Sequence, residues 1–490
     1  MTRSRPARRP WWATGPLLLL LLALPRPAPA AGEARPGWTW EVTADEALTR
    51  LEVRLCFEGF APRRLRLPRP AALPALEVLQ GEGLCPLQVE GDALVPGACG
   101  PDGCLAYRVD LSRLESLRLA SRHGRDLLTD PGAWLLAPAR FTERERARCR
   151  LHLPAGLHAS VPWAPQPDGA WSIPDTGLLF PSRVAFVRTP PRTRLLGGLP
   201  FTLAVLEGAR VASDAGIDAW LGAAVECVSQ PWGGRFPIPR AQVVVGPSGP
   251  SSDPVDFGHA YQSGGAAVVL DLASNARDGD LPLEWILVHE LLHLAMPWIV
   301  GEDAWLGEGF VTYWQEVLRG RAGAFGAAGP WQALEEGFQR GLSQPSMRTL
   351  AEDSRDMHAR HLYYRVYWSG AALSLRMDVA LQQETRGRTS LDDVLRLWSS
   401  APFRARRGWR ALDLLAETER VLGVRSLRAT VAPALASERF PDPEDTYPSL
   451  GLVRRGPGRV AVLGSPQAEA LRQRIGGRPP VPSLATGSAP

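Results

Sequence analysis

The stretch VHELLHLAMP, residues 288–297, leaves a chain few choices of local structure. Its apolar positions, with Trp285, Ile286, Leu287, Leu291, Leu292 and Met296 supplying the buried faces, have the period of a helix. Pro282 stands where a first helical turn tolerates proline, and Pro297 stops the run. On such a helix His289 and His293 lie four residues apart and project from one face, with Glu290 beside them. Two imidazoles so placed can bring their nitrogens to one ion at ~2.0–2.1 Å, the bond length that zinc takes. The alternative that needs no metal is a core helix with two hydrogen-bonded histidines and a capped glutamate.

A second constraint follows after 14 intervening residues, where Glu308 opens WLGEGFVTYWQEVLRG, another amphipathic run ended by Gly320. For Glu308 to join the histidines, the two helices must pack face to face. Two histidines and one glutamate would leave a fourth position open, which a catalytic zinc site keeps and a structural one closes. The expectation is one zinc per chain on His289, His293 and Glu308. Glu290 is placed to take a proton from a water attacking a carbonyl. Thr312, one turn after Glu308, is a candidate to steady that carboxylate.

The N-terminus reads as a secretory signal over residues 1–30. Arg3, Arg5, Arg8 and Arg9 precede an apolar run from Leu17 to Leu24, and Ala28 and Ala30 complete an A-x-A cleavage pattern. The apolar run is short for a bilayer span, so no stable span is expected once the signal is cleaved, although an uncleaved anchor is the alternative. Cleavage after Ala30 removes five Arg and no acid and takes the formal charge from +4 to −1. A nucleic-acid partner then has no electrostatic basis. The expected destination is secreted or periplasmic, where an even number of cysteines points to disulfides. Cys56, Cys85, Cys99, Cys104, Cys149 and Cys227 all lie in the first half of the 490 residues. CGPDGC either closes a small loop between Cys99 and Cys104 or gives one thiol each to two longer bridges, and Cys227 in AWLGAAVECV reads equally as a buried thiol.

The chain reads as multidomain. Short alternating runs such as RLEVRLCFEGF mark a β-rich, sandwich-like N-terminal domain over 31–196. From 197 to 325, FTLAVLEG, AQVVVGP and GGAAVVLDLAS read as strands and Asp214 to Val228 as a helix. Residues 326–475 read as helical, with segments at Pro330 to Leu342, Tyr364 to Thr385, Leu391 to Trp398 and Trp409 to Leu422, and a Ser390 cap with Asp393 three residues on. Residues 476–490 read as a flexible tail.

HELLH followed by WLGEGFVTY resembles the gluzincin metallopeptidases, specifically the M1 aminopeptidase and M61 glycyl-aminopeptidase-like families, whose second motif reads W-L-x-E-G-F. YWSGAALSLRMDVALQQETRGRTSLDDVLRLW is similar to the M61 stretch in which Y-x-K-G opens a long helix and S-L-D-D-V-[LM]-R follows. The likeness covers residues 281–398. It implies a thermolysin-like α+β catalytic domain over 197–325 and a secreted zinc-dependent metallopeptidase acting on a peptide or protein substrate. It also implies Glu290 as general base and Tyr367 as the hydrogen-bond donor to the developing oxyanion.

Three departures accompany the resemblance. The spacing from His293 to Glu308 is shorter than is usual in M1, and Ser369 stands where those families often carry Lys. GHAYQSGGAAVVL has no acid where they place G-x-M-E-N or G-G-L-E-H to hold a substrate's free amine. Ser263 and Gly264 offer no charge there, although the glycines could let a substrate backbone approach; Glu302 and Asp303 are the candidate substitutes. Aminopeptidase specificity therefore does not follow. The reading from another class is a catalytically inactive metallopeptidase-like binding or scaffold protein.

Overall fold

The computed structural model describes residues 37–60, 62–138, 146–174, 181–262, 264–326, 329–405 and 408–477. The signal with its cleavage point, Ser263, and the tail from 478 onward lie outside the described residues. Strands β1 (Gly37–Ala44), β2 (Arg50–Glu58), β3 (Cys104–Asp110) and β4 (Arg146–His152) form the middle of a seven-stranded sheet in the order β4-β1-β2-β3. Burial alternates along them: Leu51, Val53, Leu55 and Phe57 point into the core, whereas Arg50, Arg54 and Glu58 point to solvent. Two four-stranded sheets complete this β-rich part, so that three hydrogen-bonded sheets stand where the sequence alone implies a sandwich.

The thiols of CGPDGC do not pair with each other. Cys104 is bonded to Cys56, its register partner across β2 and β3, and Cys99 to Cys85. Cys149 and Cys227 are buried free thiols, whose ionisation burial pushes upward.

A five-stranded sheet follows, built from β5 (Arg192–Leu196), β6 (Leu199–Val205), β7 (Ala241–Pro247), β8 (Val255–Tyr261) and β9 (Ala267–Leu272) in the order β5-β6-β7-β9-β8. Helix α1 (Asp214–Ser229) makes the crossover between the parallel β6 and β7. Leu128, Ala185 and Val187 of the preceding region pack on Ala204, Leu206 and Val244, which joins the two halves through apolar contact.

AYQSGGAAVVL is not one strand but the end of β8, a turn and the start of β9, which run antiparallel. The glycines in that turn face the N-terminal region. A Cβ on Gly264 would sit 2.6 Å from the Ser182 Cβ, and one on Gly265, at φ +104°, would sit 2.8 Å from the Pro162 carbonyl oxygen. Trp163 Nε1 and Ser182 Oγ each donate to the Gly264 carbonyl at 3.2 Å. These glycines serve packing between elements.

The helices that matter for the site are α2 (Trp285–Ala295), α3 (Ala304–Arg321), α4 (Pro330–Leu342), α5 (Tyr363–Thr385), α6 (Leu391–Trp398) and α7 (Ala411–Leu422). Helix α2 starts later than Pro282 alone implies, because Glu284 caps it by accepting from the amides of Ile286 at 2.8 Å and Leu287 at 3.2 Å. At α6, Ser390 and Asp393 form the reciprocal cap. The helical C-terminal part contains one departure, a hairpin of Leu452–Gly456 and Arg459–Val462, whose turn holds Gly456 and Gly458 at positive φ. Helices α3 and α5 cross in backbone contact: a Cβ on Gly309 would overlap the Gly370 Cα, and one on Gly370 would overlap the Trp305 carbonyl oxygen. Among the described residues no helix is long and apolar enough to cross a membrane.

Candidate metal centre

The register of α2 carries His289 and His293 to the same side, and their Nε2 atoms lie 3.1 Å apart. The first turns of α3 then bring Glu308 Oε2 to 3.3 Å from each of these nitrogens. Donor atoms so spaced match neighbouring corners of a tetrahedron whose bonds are ~2.0–2.1 Å, so the three side chains fit zinc without rearrangement. Among the described residues this is the one cluster of at least three histidine, cysteine or acidic side chains that could hold a metal ion.

The tautomer of His289 agrees with that fit. Gln315 Oε1, an acceptor, lies 2.7 Å from His289 Nδ1, so Nδ1 carries the hydrogen and the Nε2 lone pair faces the other two donors. Gln315 is held in turn. Its Nε2 donates to Glu316 Oε1 at 2.8 Å, Glu316 pairs with Arg319 at 2.9 Å, and Arg319 Nε donates to the Leu283 carbonyl at 2.8 Å. Sequence reasoning missed Gln315, although its place two turns after Glu308 on the same face of α3 is a usable signal. Thr312, the residue it favoured instead, has a buried hydroxyl without a hydrogen-bond partner and does not steady Glu308. Replacing the orienting partner of a metal-ligating histidine typically costs 10–100-fold in affinity. Gln315→Leu is therefore expected to raise the zinc dissociation constant by about 10–100-fold, measured by competition with a chromophoric chelator.

Burial alone would raise the Glu308 carboxyl, but the charge of His293 and hydrogen bonds from both imidazoles hold it well below the usual carboxylate range. Glu290 behaves oppositely. Its burial outweighs the charge of His289 and pushes its carboxyl up to about 7, with the Ala260 amide hydrogen-bonded to it. Strand β8 comes this close because residue 258 is glycine: a Cβ there would overlap the Ile286 side chain and lie 2.8 Å from Glu290 Cγ. Gln262, just past β8, donates to the carbonyls of His293 and Met296 and ties the strand to the end of α2.

Tyr367 enters from α5. Its ring lies nearly parallel to that of His289, with centroids 6.0 Å apart, and its phenol hydrogen-bonds Glu308. Burial and the neighbouring carboxylates push this phenol far above the usual tyrosine range, so it stays a neutral donor. The Gly309–Gly370 crossing explains the meeting, since Glu308 adjoins one glycine and Tyr367 lies one turn before the other. Ser369 is fully buried and its hydroxyl has no partner.

The positions considered for holding a substrate amine are occupied otherwise. Glu302 pairs with Arg410, while Asp303 accepts from Arg410 Nε and from the Ala411 amide, both at 2.9 Å, and so caps α7. Beside the centre, Tyr261 of β8 is covered by Arg183, whose guanidinium carbon stands 4.7 Å over the ring. Asp130, the nearby acid, is already shared between Arg69 at 2.7 Å and Arg183 at 3.6 Å.

No protein-family model and no curated protein sequence matches the chain. Among solved structures it is similar to an aminopeptidase N family protein from Idiomarina loihiensis, at 15% identity and a TM-score of 0.66, over 85% of this chain and 78% of that one. It is also similar to a mutant M1 zinc metallopeptidase from Deinococcus radiodurans, at 14% identity and a TM-score of 0.52, over 83% of this chain and 96% of that one. A further structure of that mutant, bound to a Tyr-Ser-Ala substrate, matches at 14% identity and a TM-score of 0.51, over 83% and 95% of the two chains. The chain is thus a mixed α/β protein with the fold of M1 zinc metallopeptidases.

Proposed function

We propose that this chain, which has the fold of M1 zinc metallopeptidases, is itself a zinc-dependent peptidase of the gluzincin kind, with His289, His293 and Glu308 as its metal ligands. The observation that carries the reading is the convergence of those three donor atoms, at 3.1 and 3.3 Å, in a pocket that also brings in Glu290 and Tyr367. Zinc held there supplies Lewis-acid polarisation of a scissile carbonyl and activation of water. Glu290 takes the proton from the attacking water and delivers it to the nitrogen of the leaving amine, which balances the hydrolysis. Tyr367 donates its phenolic hydrogen to the carbonyl oxygen as negative charge develops on it. Gln315 keeps His289 in the required tautomer.

The similarity of YWSGAALSLRMDVALQQETRGRTSLDDVLRLW to M61 favours a glycyl-aminopeptidase-like relative, with the β-rich part at 31–196, a thermolysin-like unit at 197–325 and a helical part at 326–475. Export with cleavage after Ala30 accords with the two disulfides, and N-terminal sequencing of the secreted chain tests it. An inactive binding or scaffold protein is the less favoured reading, because without hydrolysis nothing would keep a buried general base at Glu290 beside the metal ligands. The deciding experiment is metal analysis of the purified chain with digestion of a complex peptide mixture, with and without chelator. One zinc per chain and chelator-sensitive cleavage support the proposal, whereas an absence of zinc after reconstitution overturns it.

Specificity for a free N-terminus is not part of this reading. Tyr261 and Arg183 offer an ammonium group no ion pair, and Glu302 and Asp303 are engaged by Arg410. Matched peptides with free and acetylated N-termini are expected to show kcat/KM values within about 10-fold of each other, a difference of ~1.4 kcal/mol. A larger preference for the free amine would reveal a carboxylate that enters the site from elsewhere.

A further inference from the structure

The chain has 17 Trp, 7 Tyr and 13 Phe. Among the described residues five of these rings are markedly exposed: Phe257 (58%), Trp285 (44%), Trp298 (36%), Tyr363 (38%) and Tyr364 (57%). All five lie on β8, on α2 and the segment that leaves it, or at the start of α5, which are the elements that build the metal centre. Rings exposed at random would be spread over the surface, including the large β-rich half, where none of the five occurs.

Two of the five lean on groups of the centre, and a third stands on β8, the strand whose Ala260 amide reaches Glu290. Trp285, one turn before His289 on α2, meets its imidazole edge-on with centroids 6.1 Å apart. Tyr363, one turn before Tyr367 on α5, meets that ring edge-on at 6.4 Å. Phe257 on β8 stacks on His259 at 6.4 Å, and His259 meets Tyr261 edge-on at 4.6 Å. β8, α2 and α5 therefore each raise at least one solvent-exposed ring beside the reacting groups.

We propose that Phe257, Trp285 and Tyr363 form an aromatic lip that binds a large apolar or aromatic side chain next to the scissile bond. Preferred substrates are then peptides with Phe, Tyr, Trp or Leu at one position flanking the cleaved bond. The inference rests on the peptidase reading and adds a substrate class to it. The occupant is the substrate because two of the rings lean on groups of the centre itself; a permanent protein partner covering them would close the site. Aromatic faces and edges gain from contact with another ring or a branched aliphatic chain, beyond the area they bury.

The test is a peptide library varied at the positions around the cleaved bond, digested by the zinc-loaded chain and read by mass spectrometry of the products. The wild type is expected to favour Phe over Ala at one flanking position by about 10-fold or more in kcat/KM, as differences of a few methylenes in an apolar pocket allow. Trp285→Ala, Tyr363→Ala and Phe257→Ser each remove an exposed ring and leave the core intact, and a Phe-to-Ala ratio that falls by about 5-fold or more in at least two of them supports the lip. A flat wild-type profile, or a profile unchanged in all three variants, overturns the lip and leaves the peptidase standing. Zinc-loaded wild type that cleaves no peptide overturns the peptidase reading, and the lip with it.

Discussion

Glu290→Gln is expected to retain one zinc per chain and to lose about 10²–10⁴ in kcat, the usual cost of removing a positioned general base. Retention of metal follows from the donor set, because the ion would be held by His289, His293 and Glu308 and the substitution is isosteric. Loss of turnover follows from chemistry, since a carboxamide cannot accept the proton that hydrolysis must move. The pH profile gives an independent check. The active form of Glu290 is unprotonated, so kcat rises as pH passes upward through its pKa. Burial places that value at about 7 before a cation is added, and a cation on the neighbouring ligands favours the carboxylate; the acidic limb is therefore expected at or below about 7. Metal analysis by mass spectrometry together with the kcat profile decides the matter. Full turnover in the zinc-loaded variant would transfer the proton to some other group.

Tyr367→Phe is expected to lower kcat by about 10²–10³ with little change in KM, the signature of a donor that acts mainly in the transition state. Without substrate the phenol is hydrogen-bonded to Glu308, so the substitution also frees a ligand oxygen. Zinc content must be measured on the same preparation to separate a lost metal from a lost donor. A large loss in Tyr364→Phe without one in Tyr367→Phe would show that the start of α5 is set differently from the geometry described.

The parts of the centre that lie on two neighbouring helices were legible in the chain itself. His289, Glu290 and His293 share one helical turn, and Glu308 needs only a short connection to reach them, so local period and spacing suffice. The strands Leu199–Val205 and Ala241–Pro247 and the helix Asp214–Ser229 were legible for the same reason. What was not legible depends on contacts between distant segments. The pairing of β8 with β9 was not legible, because the close approach of Pro162 and Ser182 to the turn between them comes from another part of the chain. Arg183 over Tyr261 is invisible for the same cause. Thr312 was named and Gln315 missed because one helical turn from Glu308 looks nearer than two. The relevant partner of Gln315 is His289 on α2, and Thr312 has none.

The bare crossing of α3 and α5 at Gly309 and Gly370 has a consequence for how this molecule can vary. Where two backbones touch, no side chain can yield, so the joint behaves as a fulcrum without play. A methyl group at either position would pry the helices apart and swing Tyr367 away from Glu308, disrupting the candidate centre and loosening the fold in one event. Tolerance must lie elsewhere. New specificities in such a chain would come from the exposed rings of β8 and the ends of α2 and α5, while the glycine pair beneath them stays as it is.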